Sequence, residues 1–106
     1  MGNGKSDMTL KSYETELIGN WINGGAGFVG DAVELRINKL IASDLEKVAV
    51  SPETGAWETL YRDPNDRRYW ELTYPRSEML GGGPKRLANI SDSAARSKYH
   101  RSGNGA

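Results

Sequence analysis

Residues 57–74 read WETLYRDPNDRRYWELTY, and this stretch decides the fold. Successive side chains of an extended chain point to opposite faces. Trp57, Thr59 and Tyr61 therefore share one side, and Glu58, Leu60 and Arg62 the other. Asp63-Pro64-Asn65-Asp66 follows, four residues that favour turns because proline presets φ and Asp or Asn side chains bond their own backbone. From Arg68 the alternation resumes, with Tyr69, Glu71 and Thr73 opposite Trp70, Leu72 and Tyr74. Two alternating segments around such a turn predict an antiparallel hairpin. Pro75 ends it, having no N–H for a ladder.

Upstream, residues 45–50 (LEKVAV) predict a further strand, separated from the hairpin by Ser51-Pro52 and Thr54-Gly55. Asp31 marks the start of a helix over about residues 32–43. Its carboxylate can accept from the free N–H groups there, and Glu34 stands three residues on, as in a capping box. Val33, Ile37, Leu40 and Ile41 follow at helical spacing. Before them, residues 14–22 (ETELIGNWI) predict a strand kinked at Gly19, with Phe28 and Val29 returning after an Asn-Gly-Gly turn.

Downstream, Gly81-Gly82-Gly83-Pro84 reads as a loop, Arg86 to Ile90 as a short edge strand, and Ser91 as the cap of a last helix carrying Ala94, Ala95 and Tyr99 on one side. The expected fold is α+β: a small antiparallel β-sheet with one main helix packed on one face, a short C-terminal helix, and the second face left to water. Residues 10–100 form one domain in this reading, with 1–9 and 101–106 as disordered polar ends.

Composition narrows the chemistry. Lys+Arg and Asp+Glu both number 14 in 106 residues, which is not the basic footprint of a dedicated nucleic-acid or membrane-surface protein. No cysteine is present, so thiolate nucleophiles and thiolate metal sites are excluded, and the single histidine, His100, lies in a polar stretch. We expect no cofactor, no metal, no membrane contact and a cytoplasmic location, since no apolar signal or spanning run is visible.

Glu58, Asp63, Asp66 and Glu71 could be read as catalytic carboxylates, but two belong to a turn that needs Asp and the others neighbour arginines on strands. The Gly81, Gly82, Gly83 run could cradle phosphate, yet proline follows it and no strong helix begins there. Arg67, Arg68 and Arg76 among aromatics invite a single-stranded nucleic-acid-binding module as the alternative. From residue 61 onward nine Lys+Arg stand against five Asp+Glu, which makes the chain polarised but not basic. Tyr, Trp and Arg also dominate protein interfaces, and not every aromatic of residues 57–84 fits under one helix.

The series Leu60 to Asp66, Arg68 to Pro75, Ser77-Glu78-Met79 and Gly81 to Pro84 resembles the immunity protein 27 family of bacterial polymorphic toxin systems, of the contact-dependent-inhibition and Rhs type. Glu16 to Trp21, the helix holding Arg36-Ile37, and residues 51–57 (SPETGAW) are similar to the same family, so the likeness covers about residues 10–99. Three positions depart from it: Arg67 stands where glycine is usual, Leu80 where histidine is common, and Lys85 where a second proline is found.

The resemblance implies a non-enzymatic antidote that binds the C-terminal domain of a cognate toxin, as a monomer forming a heterodimer. It would occlude the toxin's active site or clamp a loop it needs. Electrostatic complementarity favours fast capture in such pairs. On that implication the contact candidates are Glu58, Tyr61, Asp63, Asp66, Arg68, Glu71, Glu78 and the loop Gly81, Gly82, Gly83.

Overall fold

A computed structural model describes residues 9–79 and 83–99. The readings of residues 1–8 and 101–106, and those of Leu80, Gly81, Gly82 and His100, lie outside the described residues. The elements are β1 (Glu16–Ile18), β2 (Trp21–Asn23), β3 (Phe28–Gly30), α1 (Ala32–Lys39), a π-helical turn (Leu40–Asp44), β4 (Glu46–Ser51), β5 (Gly55–Arg62), β6 (Tyr69–Thr73), β7 (Arg86–Ile90) and α2 (Asp92–Tyr99).

β4 to β7 form an antiparallel meander that β1 joins, giving the order β1-β7-β6-β5-β4. The predicted hairpin of residues 57–74 forms, with Thr59 opposite Leu72 and Tyr61 opposite Trp70. β7 is not the edge strand its length and polarity predict. It lies between β1 and β6, with Leu87 opposite both Leu17 and Leu72. Five residues suffice for a central strand when both neighbours supply hydrogen bonds and Leu87 is fully buried.

The chain breaks at Gly19 as expected, but the break separates two sheets: β1 joins the meander, whereas β2 pairs only with β3. Glu34 packs so closely over Gly19 that any Cβ there would overlap its carboxylate, so glycine is required by the approach.

Asp31 caps α1 by accepting from the Glu34 N–H at 2.8 Å. The reciprocal half of the capping box does not form. Glu34, only 4% exposed, turns away from the cap to accept from the Lys85 N–H at 2.8 Å and to pair with its Nζ at 3.0 Å. The helix ends four residues sooner than its pattern predicts, in a π turn closed by the Leu45 N–H on the Leu40 carbonyl (2.8 Å).

The main core lies between α1 and the sheet, where Leu17, Ile37, Leu40, Leu45, Tyr61, Trp70, Leu72 and Leu87 pack together. The opposite face is not left to water. α2 crosses it, capped by Ser91 Oγ on the Ala94 N–H (3.1 Å), and buries Ala95 and Tyr99 against Leu60.

Candidate functional site

The strand register separates the predicted contact residues into two groups at opposite ends of the sheet. At one end the turn between β5 and β6 is fixed by its own carboxylates. Asp63, almost wholly buried, accepts from the Asn65 N–H at 2.8 Å, and Asp66 accepts from the Arg68 N–H at 3.0 Å and Nε at 2.7 Å. Burial disfavours the Asp66 charge, but the backbone and guanidinium bonds of Arg68 outweigh it and leave the carboxyl below its ordinary range.

The same guanidinium reaches 54 and 57 residues back along the chain, donating to the carbonyls of Glu14 (2.7 Å) and Lys11 (3.0 Å), and sits 4.9 Å from the Trp70 ring centroid. Tyr61 is a core residue whose burial, then the nearby Tyr74, raise its pKa. Asp63, Arg68 and Tyr61 thus hold this end of the fold together. Arg67 adopts φ 68°, a left-handed conformation that favours glycine.

At the other end, the β4–β5 turn and the segment after β6 enclose an open groove of about 470 Å³ lined by Thr54, Trp57, Glu58, Thr73, Tyr74 and Ser77. Trp57 is 51% exposed and meets Tyr74 nearly edge to face, at 80° and 5.2 Å. Glu58 accepts from Thr54 Oγ1 at 3.2 Å. Lys98 of α2 bridges it to Glu71, at 3.1 Å and 2.7 Å, and Tyr99 donates to the same Glu71 oxygen at 2.7 Å. Desolvation disfavours the Lys98 charge, but the bonds to Glu71 and then Glu58 prevail and raise its pKa. Burial, then the Glu71 bond, push the Tyr99 hydroxyl well above the usual range.

Glu78 is exposed and pairs with Arg76 at 3.1 Å. Gly83, at φ +77°, is backed against the Arg76 carbonyl. A second, smaller cavity of about 300 Å³ lies beyond, lined by Ile18, Asn20, Pro75, Arg76 and Arg86.

The sequence does not single out Lys98 and places Tyr99 only on the packing side of the last helix, because the pairing of α2 with Glu58 and Glu71 joins residues 27 to 40 positions apart and leaves no local pattern. The expected hairpin after Gly19 forms as β2–β3, but it leaves the main sheet here and exposes Ile22, Phe28 (73%) and Val29. An isolated two-stranded ribbon cannot bury both its faces, so its Gly-rich flanks carried the signal.

Of the arginines considered for nucleic acid, Arg68 is engaged within the fold and Arg76 is paired with Glu78. Among the described residues no His/Cys/Asp/Glu group could hold a metal ion, and no helix is long and apolar enough to cross a membrane. In comparison with known proteins, a family model described as Immunity protein 27 matches residues 23–91, nearly two thirds of the chain. No curated protein and no solved structure matches.

Proposed function

The chain belongs to the immunity protein 27 family, and on that premise we propose that it captures the C-terminal domain of a cognate bacterial toxin in the cytoplasm and neutralises it. It does so by covering the toxin's active site or a loop the toxin needs, in a one-to-one complex and without chemistry of its own. The family match across residues 23–91 carries the reading.

The surface supports it. Trp57 in the first groove and Ile18 in the second are more than half exposed, as are Ile22, Phe28 and Val29 on the separate β2–β3 hairpin. Exposed apolar side chains of this size are found at association surfaces. Glu58, Glu71 and Glu78 belong to the same end, where Gly83 lies against the Arg76 carbonyl. Asp66 remains a peripheral candidate at the opposite turn, whereas Tyr61, Asp63 and Arg68 act by supporting the scaffold.

Co-expression with the toxin domain encoded by the neighbouring gene tests the proposal. A complex that survives size-exclusion chromatography, with growth restored to cells making the toxin, is the expected result. Separate elution of the two proteins at micromolar concentration refutes it.

A further inference from the structure

Within that function, and resting on it, we propose that the Trp57–Tyr74 groove is the receptor for one arginine side chain of the toxin. Three observations converge on this assignment. The two rings meet at 80°, forming an aromatic corner, and half of the Trp57 surface is open. A guanidinium is planar and weakly hydrated, so it stacks on such a surface while its N–H groups reach a carboxylate.

Among the described residues Glu58 is the one charged residue lining the groove, with its side chain about a third exposed. Behind it, Glu58 and Glu71 share the single ammonium of Lys98, so the three groups carry one net negative charge. One further cation completes the balance. Lys85 approaches Tyr74 at 5.8 Å from the ring centroid but is engaged by the buried Glu34, and Arg76, between Pro75 and Ser77, is paired with Glu78.

An apolar occupant would leave the Glu58 charge desolvated without a partner, and an acidic one would face repulsion. A lysine could pair with Glu58 but would present a compact, strongly hydrated ammonium in place of a stacking plane. Arginine satisfies both the ring and the carboxylate.

Two arms test the proposal with the full-length chain. In the first, Trp indole signals are followed by NMR during titration with acetyl-Gly-Arg-Gly-amide, and with the same peptide carrying citrulline or lysine in place of arginine. A shift of the Trp57 indole with arginine, at least several-fold weaker with citrulline and lost in Glu58→Gln, is expected. Equal shifts for arginine and citrulline, or none, overturn the assignment.

In the second arm, toxin affinity is measured for Trp57→Leu, Glu58→Gln and the remote Lys47→Gln. The groove variants should weaken binding 10- to 100-fold and Lys47→Gln less than twofold. A double-mutant cycle should couple Glu58→Gln to one toxin arginine replaced by glutamine. Wild-type binding with groove variants within twofold of it refutes the groove but leaves the antidote function standing. No wild-type binding refutes the function itself, and the peptide arm then still decides whether the groove recognises arginine.

Discussion

Replacing Glu34 with alanine tests whether the helix N-terminus and the start of β7 are held together by one buried carboxylate. Its side chain is 5% exposed and serves two donors on Lys85, 51 residues away: the backbone N–H at 2.8 Å and Nζ at 3.0 Å. Removing one partner of a buried pair costs about 3–5 kcal/mol. Lys85 retains 21% side-chain exposure, so its ammonium can partly regain water, and we lower the expectation to about 2–4 kcal/mol. The Lys85 N–H, left without its acceptor, contributes about 1 kcal/mol of that.

For a domain of this size the loss lowers Tm by roughly 8–32 °C, at about 4–8 °C per kcal/mol. Urea unfolding followed by tryptophan fluorescence reads it directly, since Trp70 is fully buried in the adjoining core. Glu34→Gln keeps an oxygen for the N–H and removes only the charge, so it should fall between wild type and alanine. A Glu34→Ala midpoint within about 0.5 kcal/mol of wild type, or equal to that of Glu34→Gln, would show that the pair adds little and refute the reasoning.

Three other perturbations have defined outcomes. Arg36 donates to both Glu14 oxygens (2.7 and 2.8 Å), and this bonding, opposed by burial and helped by the Lys11 N–H, holds the Glu14 carboxyl at about 2 instead of 4.5. A depressed folded-state pKa adds stability that is fully present above pH 4.5 and lost as pH falls toward 2. Urea midpoints should therefore decline across that window, and Glu14→Gln should flatten the decline; an unchanged slope sinks the assignment. Arg67→Gly relieves a left-handed residue of about 1 kcal/mol of strain, against some added chain entropy, so a raised or unchanged Tm is expected and a drop of several degrees contradicts it. Gly83→Ala combines a positive φ with overlap on the Arg76 carbonyl and should destabilise by about 2 kcal/mol or more, read by the same unfolding assay.

What the sequence revealed and what it hid divide along chain distance. The faces of residues 57–62 and 69–74, the Asp31 and Ser91 caps and the break at Gly19 each follow from side chains a few positions apart. The placement of β7, the second layer formed by α2, and the partners of Glu34, Arg36 and Arg68 depend on residues 13 to 72 positions away. Periodicity holds no record of those pairings. Glu34 shows the contrast within one residue. Its spacing from Asp31 reads as local capping, but a half-buried cation elsewhere offers its carboxylate a better partner, and the Lys85 N–H that proline would lack completes the site. The groove was legible only in part: Trp57 and Glu58 stood out by type, whereas Lys98 comes from α2, forty residues further along the chain.

The pairing of β1 with β7 joins Glu16 to Ala88. β4 to β7 are neighbours in both chain and space, so they can assemble as soon as they are synthesised, but β1 must wait for a strand made some seventy residues later. Closing so long a loop adds only a logarithmic entropy, yet it delays the last step of folding until β7 has left the ribosome. The nascent chain consequently carries its hairpin and its first strand undocked through most of translation, and a ribosome stalled before residue 86 would release a product whose first strand has nothing to pair with.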